Sequence, residues 1–463
     1  DWSSDVCSSD LGGIQALKEF FTHVPSAAGI AYVVILHLSP DHDSQLARVL
    51  QQVTSLPVTQ VTADTMIVPD HVYVVPPDRS LSMRDGIITT KSITSVEERR
   101  APVDIFFRTL ADSHGPNAVG VILSGTGANG SMGLKRIKEF GGATFAQNPR
   151  EAEFSEMPRN SIATELVDLI LPVAEIPQHI VNYRDRIGTI RIPETPEERP
   201  EDQQAALRDI FTHLRVRTGH GFSNYKRPTM LRRIERRISV KDLAGLSEYA
   251  NYLKENTDES TALLKDLLIS VTNFFRDRKA FEAIEKTILP KLVSAASQDK
   301  PIRIWVAGCA TGEEAYSLAM IAAELTAGGI DGPPVQIFAT DIDEHAIAIA
   351  REGVYTLNDA ADVSPERLRR FFTKEGENYR VRREIRETIL FAQHNLIKDP
   401  PFSHLDLVSC RNLLIYLNAS AQERVMETIH FALKPGAYFF IGSSESVDGS
   451  ADLFMPEIGR AHV

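Results

Sequence analysis

The sequence predicts an α/β fold: a doubly wound parallel sheet at the front, a small all-helical domain in the middle, and a Rossmann-like sheet domain at the back. Three observations carry this. Between Leu11 and about Asn182, short apolar runs alternate with helical segments, as in parallel strands joined by crossover helices. From about Ala205 to Ser270, helical spacing continues without strand alternation. Ile302 to Leu325, IRIWVAGCATGEEAYSLAMIAAEL, reads as a buried strand, a sharp glycine turn and a helix.

With 463 residues, 43% hydrophobic and 24% charged, the chain has room for two or three domains with sizeable cores. Its formal charge of −12 argues against general nucleic-acid binding. Cys7, Cys309 and Cys410 have neither metal-ligand nor disulfide-framework spacing, so a reducing cytoplasm is expected. No apolar stretch approaches the ~20 residues that span a bilayer. Residues 1–11, DWSSDVCSSDL, lack fold periodicity and resemble translated sequencing-adapter read-through, as do the last residues, 458–463. Both are expected to lie outside the fold, with the natural protein continuing at both ends.

In the front region (12–188) the expected strands are Ala31 to His37, Val72 to Val75, Val119 to Ser124, Ala143 to Gln147 and Val167 to Leu171. Three strand ends bring polar groups to the carboxyl edge. His37 closes AYVVILH, LSGTGANGSMG follows the Val119 strand, and LGGIQALKEFF begins where a first strand should end. Residues 189–204, TIRIPETPEERPEDQQ, combine prolines with dense acid and read as a solvated, semi-extended linker.

The helical region (205–270) contains YKRPTMLRRIERRISV. On a helix Leu231, Ile234 and Ile238 share one face, and Arg232, Arg233, Arg236 and Arg237 fall within an arc of ~140° opposite. Such a stripe suits an acidic partner surface, or equally the chain's own acids. It lacks the interleaved aromatics of a nucleic-acid binder.

In the back region (271–457), Gly308 to Gly312 would present free N–H groups and a helix N-terminus to a ligand at the sheet edge. Glu313 and Glu314 open that helix and would repel a pyrophosphate, so the expected ligand is cationic. Asp341, in ATDID at the end of the strand from Val335, can accept hydrogen bonds from ribose hydroxyls. Ribose plus a cation suggests S-adenosylmethionine. Capping acids at an ordinary turn are the plain alternative. NAD fits less well, because G-x-G-x-x-G is missing and Asp341 lies beyond the usual ~20 residues.

The turn, ATDID, FAQHNLIKDPPF, LDLVSCRNLLIYL and AYFFIGSSES occur in order after the arginine-rich helix, and from about Leu207 to Val447 the chain resembles the chemotaxis receptor methyltransferase (CheR-type) family. That resemblance implies transfer of methyl groups from S-adenosylmethionine to chemoreceptor glutamates. It places cofactor contacts on Ser270, Thr272, Arg276, Gly308, Gly312, Glu313, Glu314, Asp341, Asn395, Leu396, Cys410 and Arg411. It gives Arg276 and Tyr416 the orientation of the substrate carboxylate, and a small β subdomain is expected between Val354 and Glu387. The family more often has asparagine where Ser270 stands. Relatives with this domain order often continue into sensory and kinase modules, and the implied partners are chemoreceptor-like proteins with acidic helices, met by the four arginines.

The front region, through His37, GTGANG, MRDGIITT and AQNPREAEFSEMPRNSI, resembles the chemotaxis receptor methylesterase (CheB-type) family. That implies a serine hydrolase. The family's histidine falls on His37, its aspartate on Asn129 and its nucleophilic serine on Asp10, so only the histidine is kept. Without a serine oxygen there is no acyl-enzyme, and an amide cannot stabilise an imidazolium; the same change in a protease triad costs about 10⁴ in rate. The expectation is an impaired esterase joined to an intact methyltransferase. A non-catalytic adaptor docking an acidic partner is the alternative of another class.

Overall fold

In a computed structural model the described residues are 5–9, 13–36, 45–76, 79–92, 102–268, 272–296, 300–326, 333–356, 359–376, 378–447 and 452–455. They form two units. The first runs to His220 and resumes from Leu231 to Ile269; the second comprises Gly221–Met230 and the chain from Ser270 onward.

The strands of the first unit are β1 (Asp5–Ser9), β2 (Ala31–Leu36), β3 (Val58–Gln60), β4 (Thr65–Met66), β5 (His71–Val74), β6 (Arg79–Arg84), β7 (Ile87–Ser92), β8 (Val119–Ile122), β9 (Ala143–Gln147) and β10 (Leu169–Leu171). Seven make a parallel sheet ordered β10-β9-β8-β1-β2-β5-β3. The AYVVIL run is buried throughout because its alternate residues enter two cores. Tyr32, Val34 and Leu36 join Phe20, Phe21 and Ile180, while Ala31, Val33 and Ile35 join Phe106, Phe107 and Leu134. A strand covered on both faces loses its polar alternation.

Three expectations need correction. Residues 5–9 take part in the fold as β1, between β2 and β8. Strand pairing runs through backbone groups, so a segment without apolar periodicity can fill a central slot. The β4-β7-β6 sheet is an addition to the expected strands, although its signal is in the sequence: Asp85 (φ 50°) and Gly86 (φ 77°) join β6 to β7, the Asp-Gly turn favoured in two-residue hairpins. Residues 189–204 are largely exposed, as expected, but they are pinned down and do not form a free linker. Ile192 and Arg199 are buried, and the Ile192 N–H donates to Glu235 Oε1 at 2.6 Å. The Arg199 guanidinium donates to the carbonyls of Pro193 and Glu194, folding the proline-rich run back upon itself. The helices Glu201–Thr218, Leu246–Glu255 and Thr257–Leu268 follow.

The second unit contains β11 (Ile302–Ala307), β12 (Val335–Asp341), β13 (Val354–Thr356), β14 (Phe372–Glu375), β15 (Asn378–Val381), β16 (Ile389–Gln393), β17 (Leu405–Cys410) and β18 (Leu433–Ile441). Five form a parallel sheet ordered β16-β12-β11-β17-β18. Ile302, Ile304 and Val306 face one core, and Trp305 and Ala307 the other. The small antiparallel sheet β13-β15-β14 lies within the stretch where a β subdomain is expected.

Candidate functional site

The carboxyl ends of β16, β12, β11 and β17 lie side by side, and the residues singled out in the back region lie at or just after one of them, apart from Ser270, Thr272 and Arg276, which precede the sheet. Ligands of open parallel sheets bind at this edge. After β11 the backbone reverses through Gly308 (φ 75°), Ala310 (φ 47°) and Gly312 (φ 96°) before the helix Glu313–Thr326. Gly308 and Cys309 both donate to the Thr340 carbonyl, at 2.8 and 2.9 Å. A Cβ on Gly312 would stand 2.9 Å from Ala350 Cβ and 3.1 Å from the Tyr355 hydroxyl, in a conformation L residues avoid.

Carboxylates close on this bend. Asp341 Oδ2 accepts from Ala310 N at 2.8 Å and Oδ1 from Asp343 N at 3.0 Å, so the acid at the β12 end shapes the β11 turn. Burial raises its carboxyl above the ordinary range, against the opposing pull of those backbone donors. Glu313 is buried and accepts from Thr311 Oγ1 at 2.7 Å. Glu314 accepts from Ser409 Oγ at 2.5 Å and from Arg411 Nη1 at 3.1 Å. The Cys309 thiol at the centre is pushed well up, by burial first and then by Asp341, Glu313 and Glu314. The N–H groups expected to be free at the bend are taken up within the protein: those of Gly308 and Cys309 by Thr340, that of Ala310 by Asp341 and that of Gly312 by the Cys309 carbonyl. What the bend offers a ligand is its carboxylates, which suit a ribose and a cationic centre.

Arg411 ties this bend to a second loop. Its Nη2 donates to Asp277 Oδ2 at 2.6 Å and to the Arg276 carbonyl at 3.1 Å. Arg276 is half-buried between Phe275 (φ 51°) and Asp277 (φ 60°). Of the nine non-glycine residues with positive φ among the described residues, Phe275, Asp277, Ala310 and Asn412 lie at these linked turns. Each costs on the order of 1–3 kcal/mol, and such strain concentrates at functional sites.

Thr272 is buried just ahead of that loop, and Cys410 is buried at the end of β17. Asn395 follows β16. Its Oδ1 accepts from Ile397 N at 3.1 Å, and Leu396 packs against the Trp305 core. Tyr416, in the short helix Leu414–Tyr416, is half-buried beyond Arg411. Ser270 lies outside the described residues.

Residues 221–230, adjacent in sequence to the arginine helix, belong with this site. Lys226 N donates to the Tyr416 carbonyl at 2.8 Å, Asn418 N to the Asn224 carbonyl at 2.9 Å, and Tyr225 bridges Leu417 in antiparallel fashion. Burial, then the Asp341 carboxylate, raises the Tyr225 hydroxyl to about 12. Periodicity could not reveal this pairing, because its partners lie about 190 residues apart.

In the first unit, the GTGANG loop follows β8 and is clamped by the AQNPREAEFSEMPRNSI stretch. Gln147 Oε1 accepts from Ser124 N at 2.8 Å, Asn160 Nδ2 donates to the Gly127 carbonyl at 2.6 Å, and Glu156 Oε2 accepts from Gly127 N at 3.0 Å. Asn129 is buried there, and its Oδ1 has no hydrogen-bond partner among the described residues. Asp10 and His37 lie outside the described residues.

In the arginine helix (Arg227–Val240) the alternative of pairing with the chain's own acids holds for two of the four arginines. Arg236 and Arg237 are buried. Arg236 donates to Asp266 at 2.5 Å, to the Gly142 carbonyl at 2.8 Å and to Asp168; Arg237 donates to Glu259 at 2.6 Å and Asp168 at 3.1 Å. Lys138 Nζ completes the cluster, 3.2 Å from Asp168 and 2.9 Å from Asp266. Arg233 donates to the carbonyls of Lys138 and Glu139, and Arg232 is exposed. Sequence-distant acids therefore take up the charge of Arg236 and Arg237, while Arg232 stays exposed.

A five-stranded parallel sheet whose carboxyl edge carries a glycine bend and converging carboxylates defines an α/β domain that binds its ligand at that edge. Family models match the SAM binding domain of CheR methyltransferase over 270–461, its all-alpha domain over 205–268, and CheB methylesterase over 6–180. The chain belongs to the CheR family of chemotaxis methyltransferases and carries a CheB methylesterase domain ahead of it. It is 32% identical over 228 residues to a chemotaxis protein methyltransferase of Listeria monocytogenes, covering 49% of this chain and 85% of that one. It is 33% identical over 249 residues to chemotaxis protein methyltransferase 2 of Pseudomonas aeruginosa, covering 52% and 87%. A 104.1 kDa protein of the hypE 3′ region in Rhodobacter capsulatus matches both parts, with 37% identity over 424 residues; that is 87% of this chain but 44% of the relative. No helix among the described residues is long and apolar enough to cross a membrane.

Proposed function

We propose that this chain transfers the methyl group of S-adenosylmethionine to glutamate side chains of chemoreceptor-like proteins. The observation that carries the proposal is the carboxylate-lined bend after β11, with Arg411 linking it to the Arg276 loop. When bound, the cofactor supplies an electrophilic methyl group on a sulfonium. Gly308 and Gly312 would let the backbone form the bend against which it lies, Asp341 would take the ribose, and Asn395 and Leu396 would lie beside the adenine.

The chain's own task is then alignment. A glutamate acceptor has a reference pKa near 4.3 and is already anionic at neutral pH, so no general base is needed. Arg276 would grip one carboxylate oxygen through a charge-assisted hydrogen bond while Tyr416 adds a directional one, leaving the second oxygen to attack.

Incubation with methyl-labelled S-adenosylmethionine and a chemoreceptor cytoplasmic fragment should yield base-labile label on glutamates. Cofactor binding without transfer would favour the adaptor reading instead. Replacing Asp341 with alanine removes a buried charge that organises both the turn and the ribose contact. We expect calorimetric affinity for S-adenosylmethionine to fall about 10- to 100-fold, from about 1.5–3 kcal/mol of charged hydrogen bonding; unchanged affinity would remove Asp341 from the site.

The esterase part is proposed to be impaired. Asn129 stands where a triad needs a carboxylate, and Asp10 where it needs a nucleophile. With a methyl-esterified receptor fragment, methanol release should be undetectable from the chain itself and slow from Asp10→Ser. Adding Asn129→Asp should raise that rate by up to about 10⁴. Equal rates with and without Asn129→Asp would show that this position is not part of a triad.

A further inference from the structure

We propose that Glu445 is a positioning residue for methyl transfer, acting through the loop that carries Arg411 and Tyr416; the inference rests on the role given to Tyr416 above. Glu445 lies in the GSSES segment after β18 and is 7% exposed. Its carboxylate meets backbone donors on two strands' ends. Oε2 accepts from Asn412 N at 2.8 Å and Gly442 N at 2.7 Å, and Oε1 accepts from Leu414 N at 2.7 Å and Ile415 N at 3.4 Å.

These donors span the turn between Arg411 and Tyr416. Asn412 is held in the left-handed region (φ 58°), which a non-glycine residue keeps only when its surroundings enforce it. The carboxylate binds the N–H groups on both sides of Leu413 and the first N–H groups of the Leu414–Tyr416 helix, which have no intrahelical acceptor. A carboxylate there also complements the partial positive charge of clustered N–H groups. Gly442 gives it room, since a Cβ at that position would sit 2.8 Å from Oε2. From the other side, Lys226 N holds the Tyr416 carbonyl. The Tyr416 turn is therefore held at both edges, and Gln422 Nε2 adds a further hold by donating to the carbonyls of Leu414 at 2.7 Å and Leu417 at 3.2 Å; Glu445 is the side chain that takes up its N–H groups.

Glutamine is the discriminating substitution. It keeps the volume but exchanges one carboxylate oxygen for an NH2 group, which cannot accept from the N–H groups that this oxygen serves. Arg411 and the β11 bend have their own partners, so cofactor binding should survive.

The test is a double-mutant cycle on the full chain, scored by label transfer from S-adenosylmethionine to a chemoreceptor cytoplasmic fragment, with cofactor affinity measured by calorimetry. Glu445→Gln should lower kcat by about 10- to 100-fold while cofactor affinity moves by less than about threefold. In a Tyr416→Phe background the same substitution should cost less than about threefold, because residues acting as a unit are not additive. Hydrogen exchange should quicken across residues 411–417. If Glu445→Gln fails to bind cofactor, Glu445→Asp, which keeps the charge on a shorter arm, takes its place in the cycle. Fully additive losses, or unchanged turnover in Glu445→Gln, overturn the inference; full activity in Tyr416→Phe overturns the site reading beneath it.

Discussion

Arg276→Ala is expected to lower methyl transfer by about 10²- to 10³-fold, the scale of losing one preorganised donor to a reacting oxygen. The loss should fall on kcat and on the KM for the receptor fragment together, because a carboxylate needs its counter-charge both to dock and to stay aligned. Arg276→Lys should recover only part of it, since an ammonium cannot reproduce the planar two-donor geometry. The residue sits in a turn whose neighbours both adopt positive φ, and its carbonyl is held by Arg411. The backbone that aims the side chain should therefore survive the substitution. Label transfer at wild-type rate by Arg276→Ala would remove it from the site.

The second large effect lies away from the chemistry. Asp168→Asn should destabilise the first unit by about 3–5 kcal/mol, the usual cost of stranding buried charge by removing one partner. Asp168 faces Arg236, Arg237 and Lys138 within the protein, and also accepts from Thr144 N at 3.0 Å. Hydrogen exchange over the Arg227–Val240 helix and the denaturant midpoint read this loss; a change below about 0.5 kcal/mol, the scale of ordinary surface substitutions, would show the cluster to be energetically idle. The same cluster predicts acid lability. The neighbouring cations hold the Asp168 and Asp266 carboxyls below their ordinary range, more than offsetting the opposing effect of burial. A depressed folded value stabilises at pH above the unfolded value near 3.9, and that contribution drains away as the pH falls below it. Between pH 7 and 5 the cluster should hold; below about pH 4 it should weaken, and less steeply in Asp168→Asn.

Legibility followed the range of the interaction. Strands buried on both faces, such as Ala31–Leu36 and Ile302–Ala307, stand out as apolar runs, and the bend after β11 is marked by Gly308 and Gly312 within a few residues. The β6–β7 hairpin is equally local, signalled by Asp85 and Gly86, and could have been read from them. The place of β1 was marked only from downstream, by LGGIQALKEFF beginning where a strand should end; residues 5–9 carry no strand pattern of their own, and their slot is set by the gap between β2 and β8. The arginine stripe was legible as a stripe but not as a buried one, since Asp168 and Arg236 are 68 positions apart.

Residue type within a short window was enough to establish the order of the domains, the strand–turn–helix of the cofactor site and the lack of a carboxylate at position 129. The folded chain was needed to show that Glu314, Arg411 and Asp277 form one chain of charges, that residues 221–230 pair with the Tyr416 loop, and that Arg236 and Arg237 face the protein's own acids. Charge pairing depends on distance in space and on shared burial, and a linear pattern of charges carries neither.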